Sequence, residues 1–199
     1  MAIKFQYNKI ALQQLDKQLK IRVRALPTIK NKEAALRMEV KKAKKKANEL
    51  DSNLNSSMRT YDSMVGLWNE FDKELLSVDD VMLSTKKIAG VKVPILDEII
   101  FSVKAYSLFD SPEWFPDGIA ILKNLVGIAI ERELFFVKTG LLEHARRKTT
   151  QKVNLYEKVQ IPGFEEAILK IKRFMEDEEN LSKSSQKIVK TRQAMEEEA

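Results

Sequence analysis

Cysteine is missing from the chain, and histidine occurs once, at His144. Disulfides and thiolate metal sites are thereby excluded, and histidine-based metal or relay chemistry has almost nothing to work with. Glycine and proline are scarce as well, with six and five among 199 residues. A sandwich or barrel would need many more turn residues, so the composition favours long helices. The longest greasy run, Ile119 to Ile130, is interrupted by Lys123 and Asn124 and is too short to span a bilayer. The opening Met1-Ala-Ile-Lys-Phe-Gln-Tyr has no apolar signal core. A soluble chain in a reducing, intracellular compartment is the expectation, with no direct membrane insertion.

Catalytic signatures are lacking too. No glycine has the second glycine and lysine of a phosphate loop at the required spacing, and neither a Gly-x-Ser-x-Gly turn nor a His-Glu-x-x-His helix occurs. Carboxylate runs such as Glu176-Asp-Glu-Glu179 read as solvated helix flanks, and His144 as a surface or seam-edge imidazole. No catalytic, cofactor-binding or metal-ligating residue is expected, and the chain is read as non-catalytic by itself.

What the sequence does contain is a long apolar seam. Leu12, Leu15, Leu19, Leu26, Ile29, Leu36, Val40, Ala43, Ala47, Leu50, Leu54, Tyr61, Val65, Trp68 and Leu75 follow one another at steps of three, four or their sums. The stripe is narrow, with polar missed beats at Arg22, Glu33 and Ser57. A helix of that length, roughly 90–100 Å at 1.5 Å per residue, needs a partner of similar length. Asn8 is placed to cap it, and Pro27 is expected to kink or split it near Leu26. The small seam residues Ala43 and Ala47 bury little area, so bending is expected there.

A second seam supplies the partner. It passes through Leu122, Leu125, Ala129, Leu142, Ala145, Val153, Tyr156, Phe164, Ala167, Ile171, Phe174, Leu181 and Ile188, with a bend or brief break expected at Pro162-Gly163. Between the seams the period changes. Val78-Asp79-Asp80 reads as a turn, Ile88 to Leu96 as an edge strand containing Pro94, Asp97-Glu98 as the reversal, and Ile99 to Tyr106 as the return strand. Asp110 or Ser111 then caps a short helix that Pro116-Asp117-Gly118 breaks, and the tail Met195-Glu-Glu-Glu-Ala199 is expected to fray.

The fold class that follows is all-α dominated. It is a long antiparallel two-helix coiled coil with a small head containing a β-hairpin and a short helix. Residues 1–76 form the first long helix with a short N-terminal arm, 77–118 the head, and 119–199 the second long helix, as one continuous structural unit.

Charge is uneven along this plan. Residues 1–75 carry 16 basic and 9 acidic groups, whereas 76–118 carry 4 and 7. The run Lys41-Lys-Ala-Lys-Lys-Lys46 resembles a nucleic-acid patch, but Ala43 and Ala47 hold the seam and put the lysines on its solvated flanks. Tyr61, Trp68 and Phe71 admit two readings: core packing against Phe135 and Leu142, or a docking patch.

Several segments resemble one family. Asn8-Lys9 with Leu12, Leu15, Leu19 and Lys20 looks like the opening of the D subunit of the V-type and A-type rotary ATPases. Ile88-Ala-Gly-Val-Lys-Val-Pro94 is similar to the family's middle segment, and Tyr106-Ser-Leu-Phe-Asp-Ser-Pro112 to the turn before its second helix. Most specific is Lys152-Val-Asn-Leu-Tyr-Glu-Lys-Val-Gln-Ile-Pro162, which matches the family signature apart from tyrosine in place of phenylalanine. Pro27 and the Glu196-Glu-Glu198 ending depart from the family pattern.

The resemblance implies a cytoplasmic, peripheral central-stalk rotor subunit that couples ion-driven rotation of a membrane ring to ATP synthesis or hydrolysis. It implies as partners the A and B subunits of the A3B3 catalytic hexamer, the small F subunit, and the funnel-shaped subunit capping the membrane rotor ring. It implies neither a cofactor nor nucleic acid. Lys4, Lys9, Arg22, Arg24, Lys187, Lys190 and Arg192 are candidates to face the catalytic ring. Tyr61, Trp68, Phe71, Val91, Val93, Ile95, Ile100 and Val103 are candidates for the head or F-subunit contacts, with self-packing of the hairpin as the alternative. The competing class is a basic coiled coil that binds anionic membrane or nucleic acid, with salt-sensitive affinity.

Overall fold

The computed structural model describes residues 4–72, 74–107, 109 and 111–197. The cap considered at Asp110 and the last two residues of the tail expected to fray, Glu198 and Ala199, therefore lie outside the described residues, whereas Met195 to Glu197 are helical. Helix α1 spans Lys9–Thr60, α2 Val65–Trp68, α3 Phe115–Leu155 and α4 Ile161–Glu197; strands β1, Leu76–Ile88, and β2, Val91–Val103, form one hairpin. A 3-10 turn, Asp62–Met64, precedes α2, and a π-helical turn, Tyr156–Gln160, joins α3 to α4. The chain is thus all-α dominated with a small β element. It divides into two compact units: residues 1–31 with 149–199, and residues 32–148.

In the first unit the start of α1 runs antiparallel to α4. Leu15 lies with Phe164, Ala167 and Ile171 in a buried cluster, flanked by Phe5, Ala11, Leu12, Leu19, Ile168 and Met175. Tyr7, in the arm before α1, stacks at 4.9 Å on Phe174, and Lys30 meets Glu157, so the pairing descends one helix as it climbs the other. Asn8 caps α1 as expected: its Oδ1 accepts from the Ala11 N–H at 2.7 Å, satisfying a donor the first turn leaves open.

The second unit repeats the arrangement around a different core. Leu36, Val40 and Ala43 of α1 are buried with Leu142 of α3 and Val93 of β2. Ala43 and Ala47 are 3% and 2% exposed, so the expected soft spot is closely packed. The small side chains let neighbours approach and the hairpin fills the room that remains. A third cluster joins Phe71, Leu75, Phe115 and Ile119, with Trp68, Leu76, Tyr106, Trp114 and Leu122 around it.

The hairpin is longer than expected and turns elsewhere. Its reversal is Ala89-Gly90, with φ of 48° and 81°, rather than Asp97-Glu98. Two consecutive positive φ values are what a two-residue hairpin turn requires to match strand twist. Asp97 and Glu98 lie within β2, and Val78 to Asp80 within β1. The register shifts between Val78 and Asp80, so Asp79 is absorbed as a bulge instead of making a turn. Pro94 sits in β2 opposite Thr85. In a two-stranded sheet every strand is an edge, and proline is tolerated there.

Other expected boundaries move for local reasons. α1 stops at Thr60 and not near Leu76. Hydroxyls of Ser56 and Thr60 bond back to the carbonyls of Ser52 and Ser56, in a stretch poor in strong helix formers. Pro116-Asp117-Gly118 does not break a helix but lies in the first turn of α3, where the missing proline N–H has no intrahelical partner to lose. α1 continues through Pro27 unsplit, and at Pro162 the helix is locally widened by the π turn without stopping. The lengths also fail to match. From Glu176 to Met195 every residue of α4 is exposed, because α1 begins too late to cover that stretch.

Candidate docking surfaces

Docking depends on which side chains the fold leaves uncovered, and the candidates from sequence separate clearly on that criterion. Lys4, Lys9 and Arg24 are exposed in the arm and the start of α1, and Lys187, Lys190 and Arg192 are exposed on α4. Arg22 is different. Its Nε donates to Gln160 Oε1 at 2.7 Å, its Nη1 to the Gln18 carbonyl, and its guanidinium lies 4.5 Å from the centre of the Phe164 ring. It is committed to the helix pair and cannot face outward at the same time.

Three of the exposed cations share α4 with an unusual feature. Phe174, Leu181, Ile188 and Met195 recur every seven residues and are 44%, 69%, 56% and 65% exposed. A seven-residue recurrence keeps them near one helix face. At other positions that face is polar (Asp177, Ser184 and Thr191), so the stripe offers one apolar side chain every two turns.

The head candidates fall into two groups. Phe71 is buried, and Trp68 meets it and Trp114 edge to face with centroids 5.7 and 5.3 Å apart. Phe115 adds ring contacts to Phe71 and Trp114 at 5.2 Å. The packing partners of Trp68 and Phe71 are therefore Trp114 and Phe115, not Phe135 and Leu142. The adjacent dipeptide Trp114-Phe115 is the signal in the sequence that points to them. Gly118 allows this packing, because a Cβ there would stand 2.6 Å from the Trp114 ring. Trp68 and Phe71, with Leu76, Leu122 and Val126, line a cleft of about 300 Å³. Tyr61 is half-buried just past α1.

Val93 is fully buried against Leu36, Val40 and Ala43 of α1 and Leu142 of α3, and Val91 packs on the same cluster, so both are taken up by packing of the hairpin on the helices. Ile95 is half-buried and lines a second cleft of about 320 Å³ with Pro94, Leu96, Glu131, Leu134, Phe135 and Lys138. Ile100 and Val103 are 39% exposed, as is Val78; Met82 and Leu83 are more so. The last three are not evident as candidates in the sequence, where the start of β1 resembles a turn.

Ion pairs account for most of the lysine run. Lys42 meets Glu39, Lys44 meets Glu143 and Lys45 meets Glu49, at 3.4 to 3.7 Å. Glu143 also faces Arg146 and Arg147. Its carboxyl is held below its ordinary value, first by the hydrogen bond and charge of Lys44 and then by Arg147. Among the described residues no cluster of three or more acidic or histidine side chains is placed to hold a metal ion, and no helix is long and apolar enough to cross a membrane.

Paired long helices, a hairpin with exposed apolar side chains and an uncovered helical end are the features left open at the surface. The chain belongs to the ATP synthase D-subunit family, whose model matches residues 11–191. It is 30% identical over 190 residues to the V-type ATP synthase D subunit of Borreliella burgdorferi, covering 94% of each chain. It is 32% identical over 157 residues to that of Chlamydia muridarum, covering 76% of this chain and 77% of the relative. The Chlamydia pneumoniae protein of the same name is 31% identical over 172 residues, 82% of this chain and 81% of its own.

Proposed function

We propose that this chain is the central-stalk rotor subunit of a V/A-type rotary ATPase, non-catalytic itself and peripheral on the inner face of the membrane. It couples rotation of the ion-driven ring to ATP synthesis or hydrolysis in an A3B3 hexamer. The observation that carries the proposal is the uncovered end of α4, where residues 176–195 extend for about 30 Å at 1.5 Å per residue with no helix against them. An exposed helix this long, acidic at Glu176 to Glu179 and then carrying Leu181, Ile188, Val189 and Met195 among cations from Lys183 onward, suits the bore of a larger assembly. The sparse stripe supports a surface that contacts hydrophobic walls without binding any one of them tightly.

Coupling on this reading is a differential contact free energy. An asymmetric helical end touches three otherwise equivalent catalytic interfaces differently and biases each toward a different nucleotide affinity. Lys4, Lys9, Arg24, Lys187, Lys190 and Arg192 face the ring, while Arg22 holds the pair together behind them. The aromatic cleft at Trp68 and the exposed hairpin side chains Val78, Met82, Leu83, Ile100 and Val103 receive the F subunit and the funnel-shaped subunit that caps the membrane ring.

The test is reconstitution of the full chain with A3B3 hexamer and the F subunit from the same source, followed by native mass and ATP hydrolysis. One copy of the chain per hexamer, with altered hydrolysis, is the expected result. No association at physiological salt, alongside tight binding to DNA or anionic vesicles, would overturn the reading in favour of the basic coiled coil.

A further inference from the structure

One level of the first unit is held together differently from the rest. Along α1 from Asp16 to Asn31 no side chain is fully buried, and none is from Thr149 to Gly163 on the facing segment. The buried cluster begins only at Leu15 and Phe164. Within this sparsely packed level lie both Pro27 and Pro162. Pro27 leaves the Val23 carbonyl without its i+4 donor, and Pro162 removes a second donor. The facing backbone is a π turn, in which the Ile161 N–H reaches the Tyr156 carbonyl five residues back. A π turn is an α-helical turn with one residue too many, wider and less well packed, and it marks where a helix bends.

Polar bonds supplement partial burial there, where Leu26, Ile29, Val153, Tyr156 and Ile161 are half-buried. Arg22 Nε donates to Gln160 Oε1 and Lys30 Nζ meets Glu157 Oε1, both at 2.7 Å. Arg22 and Lys30 bracket Pro27 on α1, and both acceptors lie on the π turn. The Lys30 pair is nearly half exposed on each side, so it exchanges readily with water. Full apolar burial resists opening along the whole contact, whereas half-buried side chains held by two polar bonds, one of them solvated, give way more easily.

We propose that this level is a built-in yielding joint, where the helix pair bends and opens reversibly at Pro27 and Tyr156–Gln160 while the Leu15–Phe164–Ile171 cluster stays closed. Arg22–Gln160 and Lys30–Glu157 act as its clasps. The joint is a property of the chain alone and stands independently of the rotor reading.

Because the chain contains no cysteine, spin labels can be placed uniquely in the full-length protein. Labels at Gln151→Cys and Lys172→Cys, both exposed, flank the π turn; labels at Ala35→Cys and Ser56→Cys span the same number of residues within α1 as a control. The distance distribution across the joint is expected to be at least about twofold wider than the control, as befits a locally weak segment. Deleting Lys158 with Pro27→Ala and Pro162→Ala should turn the π turn into an α turn and narrow the distribution to the control width. Arg22→Ala with Lys30→Ala should widen it further. A native width equal to the control overturns the joint, and a width unmoved by either set of substitutions overturns its assignment to these residues. Hydrogen exchange on the unsubstituted chain gives a second reading: amides from Val153 to Gly163 should exchange roughly tenfold faster than those from Phe164 to Ile171. Equal protection of the two stretches overturns the proposal even if the straightened variant fails to fold.

Discussion

Helix α4 is two different objects joined end to end. From Phe164 to Met175 it is one side of a packed pair, with Phe164, Ala167 and Ile171 buried against Leu15 and its neighbours. From Glu176 to Met195 it has the same helical geometry and the same kind of apolar beat, yet every residue is exposed. The difference teaches that the heptad pattern specifies a face, and that the length of the neighbour decides whether the face is covered. In the first half the apolar residues stabilise this chain; in the second they are available to another.

Substitution at matched positions is the strongest way to probe that contrast. Ile171→Ala should cost about 2–5 kcal/mol in chemical denaturation, since a fully buried branched side chain leaves a cavity. Ile188→Ala, at 56% exposure, should stay within about 0.5 kcal/mol of the unsubstituted chain. Equal losses at the two positions would mean that the second half is covered in the isolated chain. In the reconstituted complex the order should reverse, with Ile188→Asp weakening hexamer binding while leaving the melting of the free chain unchanged.

Of intermediate size is Gly118→Ala. The new methyl would stand 2.6 Å from the Trp114 ring, so the aromatic cluster must shift at a cost of about 1–3 kcal/mol. Tryptophan fluorescence should change together with the denaturation midpoint. Gly90→Val should destabilise by about 1 kcal/mol or more, because a β-branched residue resists the 81° φ of the hairpin turn. Unaltered hairpin amide shifts in that variant would contradict the turn assignment.

The smallest effect separates the two halves of α4 by pH. Glu166 pairs with Lys170 in the packed half and Glu179 with Lys183 in the uncovered half, each at 2.7 Å and four residues apart. In both pairs the lysine hydrogen bond and charge hold the carboxyl below its ordinary value of 4.5. A carboxyl lowered on folding supports the structure above that value, and the support disappears as pH falls through the lowered one. As pH falls below 4.5 and through the lowered value, residues 180–195 should therefore lose protection relative to intrinsic exchange at each pH, having no core behind the lost pair. Phe164 to Ile171 should stay protected at the same pH, and parallel loosening of both stretches would refute the distinction.

Much of this organisation is legible in the residues. The seams through Leu12, Leu15 and Leu36 and through Leu142, Phe164 and Ile171 mark the faces that are buried, and Asn8 marks where α1 starts. The signature ending at Ile161-Pro162 points to the family to which the chain belongs. The head is less transparent. Asp79-Asp80 resembles a turn, but a bulge absorbs it inside a strand, and Ala89 adopts a positive φ that its side chain does not advertise. Pro116 and Pro162 look like stops because local sequence cannot say whether a missing N–H would have had a partner. For the docking candidates, residue type alone cannot separate the committed Arg22 and buried Val93 from the exposed Lys187 and Ile100.

By itself, then, the sequence determined the helical periods, the faces they present, the presence of a hairpin and the family. These depend on spacing and on chemistry within a few residues of one another. Tertiary structure alone decided which part of each face is covered, where Trp68 and Phe71 find their ring partners, and that Pro27 lies at the level of a π turn. Each of those depends on groups far apart in the chain arriving at the same level, which no local pattern encodes.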